Sequence, residues 1–214
     1  MRSYVEKSGA KTWNLISADY ALGHSFSKKF IEMVQETGDI VQQNLFAPQG
    51  TSDYGSFISQ LGKPTDGLIV TLNMSDANVF AKQQKQFGLF DKYKIVLGNG
   101  FATEFRLDTQ GDSVLGVLAG LSYHYSLPGA RNAQYVKAFE ARNKRKSIFA
   151  DGDTMVAMEM LRTAIVKANP TDVPAVRAAL AGLKAPNGKT MFAMRSLEPG
   201  SALFGPPSTD CKLH

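Results

Sequence analysis

Apolar and polar positions alternate along the first half of the chain in two distinct rhythms. Four short apolar runs have the length and composition of buried strands. They lie at residues 12–17, 39–46, 67–72 and 94–98. Three amphipathic stretches between them carry apolar residues at helical spacing, as Phe26, Phe30 and Val34 do in the first. They cover residues 22–36, 53–61 and 75–87. Strands that alternate with helices predict an α/β fold with a doubly wound parallel sheet.

Residues that commonly cap helices stand near two of the predicted helix starts. Asp53 is predicted to begin the second helix, and Ser75 or Asp76 to cap the third. Residues 114–125 are apolar and are predicted to be extended.

After Pro128 the pattern becomes helical and predicts additional helices. They cover residues 132–141, 153–168 and 173–183. Asn169 and Pro170 are predicted to end the second of these, and Thr171 or Asp172 to cap the third. Asp151 and Asp153 are interpreted as caps rather than as a metal site.

Composition excludes several classes of protein. The chain has 214 residues and a net charge of +5, which is modest for its length. No aromatic platform or binding motif is recognised beside the basic residues Arg142, Lys144, Arg145 and Lys146, so they predict a solvated helix end and no nucleic-acid partner. The single cysteine, Cys211, excludes an internal disulfide and a cysteine-based zinc site. No apolar stretch reaches the length of a membrane span, and no signal peptide is recognisable in this chain.

Polar or flexible residues follow three of the predicted strands. Tyr20 and Leu22 come after the first strand, Asn73 and Met74 after the third, and Asn99 and Gly100 after the fourth. The carboxyl ends of parallel strands share one edge, where open α/β sheets bind ligands. These residues are therefore candidates for ligand binding, although each junction also fits an ordinary turn.

The sequence lacks the common catalytic signatures. It has no Gly-x-Ser-x-Gly elbow, no phosphate loop, no Gly-x-Gly-x-x-Gly fingerprint and no His-Glu-x-x-His pair. His24 has no second histidine or cysteine nearby and is interpreted as a surface or supporting residue. We expect no catalytic residues, no metal and no cofactor.

The order and spacing of these segments resemble the leucine/isoleucine/valine branch (type I) of periplasmic solute-binding proteins of ABC importers. The resemblance covers about residues 4–196 and is carried by several segments. They are residues 12–23, 53–61, 66–70, 111–117, 135–139 and 153–164.

The resemblance implies a domain organisation for the chain. Residues 1–122 correspond to the second of two lobes, and residues 123–196 to a crossover, helices of the first lobe and a returning strand at 189–194. The sheet of the first lobe would lie before this chain. Residues 197–214, rich in Gly and Pro, are predicted to be an irregular tail. Its Lys212-Leu213 end is compatible with a vector-derived sequence.

The resemblance also implies ligand contacts at Tyr20, at Asn73 or Met74, and at Asn99. Members of the family that bind α-amino acids place an acidic residue at the third position, where it pairs with the ligand ammonium. Asn99 cannot supply that charge. An amide, an aromatic acid or another neutral or anionic solute is therefore favoured over a zwitterionic amino acid.

The function implied is that of an extracytoplasmic receptor. The parent protein would be periplasmic, bind a small-molecule solute by hinge closure and deliver it to a membrane permease. A chain with one wall of the cleft should bind weakly or not at all. Apolar faces that the first lobe would cover predict a homo-oligomer or a domain swap. Alternatives are a ligand-sensing domain of a regulator or receptor with the same fold, an enzyme of doubly wound fold, and a folded fragment with no function beyond self-assembly.

Overall fold

The computed structural model of the chain describes residues 2–63, 65–168, 172–181 and 183. The chain divides into two compact units, residues 1–121 and 122–214. The predictions for Asn169, Pro170, Thr171, the strand at 189–194 and the tail at 197–214 lie outside the described residues.

The first unit contains a five-stranded parallel sheet, as the sequence predicted. The strands are β1 Thr12–Ala18, β2 Ile40–Ala47, β3 Gly67–Thr71, β4 Ile95–Gly98 and β5 Leu118–Ala119. Their order across the sheet is β2-β1-β3-β4-β5. The chain leaves β1 for one edge and then crosses to β3 on the other side, so the direction of winding reverses between β1 and β3.

Helices cover both faces of this sheet. They are α1 Arg2–Ser8, α2 Ala21–Glu36, α3 Gly55–Leu61, α4 Met74–Gln86 and the short α5 Leu107–Gln110. One face buries Trp13, Leu15 and Ile69 with apolar residues of α1 and α2. The other buries Ile16 and Val70 with residues of α3 and α4. Every residue of β3 is buried, as expected for a central strand between two helical layers.

Helix α1 was not predicted from the sequence. It is only seven residues long, and Val5 is its one core residue among the side chains that the structure describes. Arg2 forms ion pairs with Glu6 and with Glu36 at the end of α2. The position of α1 therefore depends on tertiary contacts, which the periodicity of a short segment does not reveal.

The predicted caps of α3 and α4 are partly wrong. Tyr54 is the N-cap of α3, and Asp53 acts one residue earlier by accepting a hydrogen bond from the Gly55 backbone N–H at 2.8 Å. Asn73, and neither Ser75 nor Asp76, is the N-cap of α4. The Asp76 carboxylate is buried and accepts the Gly50 backbone N–H instead.

The prediction that residues 114–125 are extended is also wrong over most of its length. Gly111–Val114 form a 3₁₀ turn, and only Leu118–Ala119 form a strand. Gly116 has φ of +81°, which interrupts an extended run. Leu115 is 72% exposed, so the apolar content of this segment does not reflect burial.

The described part of the second unit contains three helices. They are α6 Ala130–Asn143, α7 Phe149–Ala168 and α8 Val173–Leu180. Helix α7 packs against α8. Asp151 and Asp153 lie inside the first turns of α7, where Asp151 accepts the Ile148 backbone N–H and Asp153 accepts the Ser122 hydroxyl. Asp172 occupies the N-cap position of α8 but makes no side-chain cap bond.

The expectation that the apolar residues Val156, Met160, Leu161, Ile165 and Leu180 of these helices are exposed is wrong for all but Leu161. Met160 is only 4% exposed, and Val156, Ile165 and Leu180 are partly buried. Leu161 is exposed, as are Met158 and Val166 on the same helix. Among the described residues, no helix combines the length and apolar character needed to cross a membrane.

Candidate functional site

The three predicted junctions meet at the carboxyl edge of β1, β3 and β4. The Asn73 Nδ2 donates a hydrogen bond to the Tyr20 Oη over 3.2 Å, across the point where the winding of the sheet reverses. Gly100 lies directly against Asn73, because a Cβ atom placed on Gly100 would overlap the Asn73 Oδ1. The Asn99 backbone N–H donates to the Val70 carbonyl oxygen at 3.0 Å. These contacts therefore connect Tyr20, Asn73 and Gly100, which are one residue from each junction.

Leu22 occupies a different place from the other candidates. It lies in the first turn of α2, and its side chain is 43% exposed. It offers apolar surface beside the polar edge and has no hydrogen-bonding group on its side chain.

A chain of buried hydroxyl groups connects β3, β1 and α2 within a few residues of two of the junctions. The Thr71 Oγ1 donates to the Ser17 Oγ at 2.5 Å, and the Ser17 and Ser27 Oγ atoms are 2.7 Å apart. These residues belong to β3, β1 and α2, and all three are buried. The hydroxyl chain thus fixes α2 against the two strands whose ends carry Tyr20 and Asn73.

Met74 has an unusual backbone conformation at the start of α4. Its φ is +53°, in the left-handed region that residues with a Cβ rarely adopt, and its side chain is 70% exposed. Strained residues of this kind concentrate at ligand sites, where surrounding structure holds them in place. The conformation marks the Asn73–Met74 junction as part of the candidate site.

Sequence reasoning missed Arg106, the most deeply buried cation at this edge among the described residues. Its side chain donates from Nη1 to the Gly100 carbonyl oxygen at 2.5 Å and to the Thr103 Oγ1 at 3.0 Å. Its Nη2 lies 4.0 Å from the Met74 Sδ. The residue is only 6% exposed, and burial lowers its pKa while the nearby Tyr20 acts in the opposite direction.

A signal for Arg106 does exist in the sequence. It is the only basic residue in the loop of residues 99–106 that follows β4, where most neighbours are apolar or small. Loops have no periodicity that separates buried from exposed positions, so this signal could not show that the arginine is buried.

Two helices point their amino ends at this edge without side-chain caps. Tyr20 and Asn73 are the N-cap residues of α2 and α4, and neither makes a side-chain cap bond. The first-turn N–H groups of a helix carry partial positive charge and have no partner within the helix. The two helix starts thus contribute hydrogen-bond donors and partial positive charge to this edge, beside the carboxylates of Asp19 and Asp76.

The remaining candidate for acid–base chemistry lies at the surface. The His24 Nε2 is 2.7 Å from the Asp19 Oδ1, and the imidazole stacks on the Phe46 ring at 4.0 Å. Both polar side chains are about half exposed. Within the described residues, no three His, Cys, Asp or Glu side chains are grouped so that they could hold a metal ion.

A parallel sheet whose strand-to-helix junctions meet at its reversal point defines an open α/β lobe, a class of fold whose members bind ligands at that edge. The chain belongs to the periplasmic binding protein family, whose model matches residues 1–201. This is a family of solute-binding proteins and not of enzymes. The resemblance noted in the sequence is thereby confirmed.

Solved structures share this fold at low sequence identity. An ABC transporter substrate-binding protein from Sphaerobacter thermophilus is 23% identical with a TM-score of 0.77, and the match covers 86% of this chain and 52% of that one. A solute-binding protein from R. palustris in complex with 4-hydroxybenzoate is 19% identical with a TM-score of 0.76, over 87% and 53% of the two chains.

A leucine-binding protein from Thermotoga maritima is 20% identical with a TM-score of 0.73, over 86% of this chain and 53% of that one. The chain thus spans about half the length of the solved structures that it matches. No curated protein sequence matches it significantly.

Proposed function

We propose that this chain forms one wall of a cleft that captures a small solute for an ABC importer. The observation that carries the proposal is the meeting of Tyr20, Asn73 and Gly100 at the reversal point of the sheet. Ligands of open α/β proteins bind at this point. Asn99, Met74 and Leu22 complete the proposed contact surface.

The solute proposed is an organic or aromatic acid rather than a zwitterionic amino acid. An amide at Asn99 cannot balance an ammonium group, whereas the uncapped starts of α2 and α4 favour negative charge. Solute-binding proteins of this fold include ones solved with benzoate, 4-hydroxybenzoate and 3,4-dihydroxybenzoic acid. Others are named for leucine or amino-acid transport, so an amino acid is the alternative solute.

The whole protein to which this function belongs is proposed to be periplasmic and to deliver its solute to a membrane permease. In this assignment residues 1–122 form the second lobe of the receptor, and residues 123–196 contribute the crossover and elements of the first lobe. The solved structures of this fold with transport names favour a receptor over a ligand-sensing regulator.

Titration of the ¹⁵N-labelled chain with benzoate, 4-hydroxybenzoate and leucine, followed by amide chemical shifts, tests the proposal. A single wall should bind with a dissociation constant of roughly 1 mM or weaker, because it buries only part of the solute. Saturable shifts are expected at Tyr20, at Asn73 and Met74, and at Asn99 and Gly100.

Two results would count against this assignment. Amide shifts at this edge that stay unchanged with every solute would contradict the proposed site. Micromolar affinity of the chain alone would contradict the proposal that it supplies one wall of the cleft.

A further inference from the structure

We infer that Arg106 binds the carboxylate of an organic-acid solute and thereby selects the solute at this edge. The inference rests on the proposed function, because it assigns a specificity-determining residue to the same cleft. It goes beyond the six residues identified from the sequence, none of which is charged.

The first argument is the missing countercharge. Arg106 is 6% exposed, yet none of the ion pairs among the described residues includes it. A buried guanidinium is stable when an anion and hydrogen-bond acceptors surround it. Carbonyl and hydroxyl oxygens supply acceptors here, but no carboxylate of the described residues supplies the charge.

The second argument is the set of donors that remains. A guanidinium has five N–H groups, and the two on Nη1 are directed at the Gly100 carbonyl oxygen and the Thr103 hydroxyl. Nη2 has only the Met74 Sδ at 4.0 Å as a hydrogen-bond acceptor, which is a weak one, and the described residues give Nε no hydrogen-bond partner. The Phe105 ring contacts the face of the guanidinium, with Cζ 4.4 Å from the ring centroid, and ring contacts of this kind do not use the N–H edge. The Nη2 and Nε edge is the fork that binds a carboxylate through two parallel hydrogen bonds.

The third argument is the location of this fork. Through Gly100 and Met74, Arg106 contacts two of the three junctions, and Tyr20 of the remaining junction is close enough to act on the Arg106 pKa, against the larger lowering by burial. The uncapped amino ends of α2 and α4 add positive potential at the same edge. The Asp76 carboxylate in the first turn of α4 is directed at the Gly50 N–H.

Glu104 provides the competing explanation. Both of its carboxylate oxygens are buried without a hydrogen-bond partner, and it lies two residues before Arg106. If this carboxylate received a solute ammonium, the cleft would prefer a zwitterionic amino acid. None of the hydrogen bonds or ion pairs of the described residues joins Glu104 to the three junctions, whereas those of Arg106 reach two of them.

The test compares benzoate with benzamide, which has the same ring and no charge. Amide shifts of the ¹⁵N-labelled chain and the Nε–H signal of Arg106 report binding of each. We expect benzoate to bind at least about tenfold more tightly than benzamide and to move the Arg106 Nε–H signal. Arg106→Gln should abolish the preference for benzoate over benzamide and leave the weak binding of benzamide unchanged. Arg106→Lys should keep part of the preference for benzoate, because it keeps the positive charge.

Arg162→Gln is the matched control, because it removes an exposed arginine from α7 in the other unit and should keep the preference. The wild-type comparison remains informative even if Arg106→Gln does not fold. Equal affinity for benzoate and benzamide in the wild type would overturn the inference while leaving the proposed solute site intact.

Tighter binding of leucine than of benzoate, lost in Glu104→Gln, would also overturn the inference, in favour of a zwitterion site. If no solute shifts the edge at all, the proposed function fails together with it.

Discussion

Gly100 is the residue at which the fourth strand's loop comes closest to the Asn73 junction. Its φ is +69°, and a Cβ atom here would overlap the Asn73 Oδ1. Gly38, just after α2, has a similar φ of +78° but open space around its Cα. A substitution at Gly38 therefore introduces backbone strain alone, whereas the same substitution at Gly100 introduces both backbone strain and steric overlap.

Gly100→Ala is expected to lower the free energy of unfolding by about 1–3 kcal/mol more than Gly38→Ala does. Both changes incur the left-handed backbone cost of about 1–2 kcal/mol, and only the first forces Asn73 to move. Urea denaturation of both variants checks this. An equal loss of unfolding free energy in the two variants would show that the Asn73 side chain moves away at no energetic cost and that its contact with Gly100 is not tight.

For single residues, the sequence predicted their place along the sheet edge better than it predicted their backbone conformation or burial. Tyr20, Asn73 and Asn99 could be placed at one edge because the residues that follow parallel strands lie at the shared carboxyl end of those strands. The left-handed Met74 could not, because its conformation arises from tertiary contacts and not from residue type. The burial of Arg106 could not be predicted either, because a loop has no periodic pattern of buried and exposed positions.

At the scale of elements, Gly152 in α7 determines how this helix meets the segment before α6. A Cβ atom on Gly152 would overlap the Tyr123 ring, whose hydroxyl donates to the Asn132 Oδ1 at 2.9 Å. A glycine inside a helix usually lowers stability by about 0.5–1 kcal/mol relative to alanine. Here it is required for close packing.

Gly152→Ala should therefore destabilise the protein by about 1–3 kcal/mol, opposite in sign to the usual helix effect. In the Tyr123→Ala background the same change should become neutral or stabilising, because the ring is gone. Thermal unfolding of the two single variants and the double variant measures this coupling. Additive effects would show that the ring and the glycine do not meet.

Asp66 connects the starts of β1 and β3. Its Oδ2 accepts hydrogen bonds from the backbone N–H groups of Lys11 and Thr12 and from the Thr12 hydroxyl. These backbone hydrogen bonds are the main cause of its lowered pKa. A carboxylate with a lowered native pKa stabilises the fold above its unfolded-state pKa of about 4, and this stabilisation is lost as the pH falls through the native pKa.

Asp66→Asn should therefore lower stability at pH 7, with a difference from wild type that shrinks as the pH falls below about 4. Denaturation curves at several pH values measure the difference. Asp108→Asn, which changes an exposed carboxylate on α5, is the control and should show little effect. A difference that is independent of pH would exclude a role for the charge.

The strands β1 to β4 matched their predictions to within about two residues because each is bounded by polar or flexible residues and has a buried run. Residues 114–125 failed because apolar composition alone does not show whether a segment has a layer to pack against. The exposed side chains of Leu115 and Leu118 illustrate this.

For the molecule as a whole, the prediction of self-association rests on exposed apolar residues of α7 and α8. Met158, Leu161, Val166 and Val173 are all exposed, although an apolar surface of this kind is usually covered. We expect a dimer or larger assembly in size-exclusion chromatography with light scattering. A monodisperse monomer at micromolar concentration would contradict it.

Val166→Glu should shift the assembly towards monomer, because it places a charge in that apolar surface without disturbing a buried contact. Lys167→Glu adds a carboxylate at the adjacent exposed position and keeps the apolar residues, so it should have less effect. The pair distinguishes loss of apolar contact from a general effect of charge.

The order of elements, rather than any single motif, was sufficient to predict the family. Strand and helix spacing is retained when individual residues diverge, which fits identities near 20% alongside TM-scores above 0.7. Solute identity depends on a few side chains at one edge, so the same spacing does not determine it.

The buried hydroxyl chain of Ser17, Ser27 and Thr71 has a consequence for redesign. The Ser17 Oγ bonds both other hydroxyls, so replacing Ser17 would remove the partner of the Ser27 hydroxyl and loosen α2 from the sheet. The residues above it, at 19–22 and 73–74, do not take part in this chain. New solute preferences can therefore be engineered in these junctions by exchanging side chains, while the frame beneath them stays unchanged.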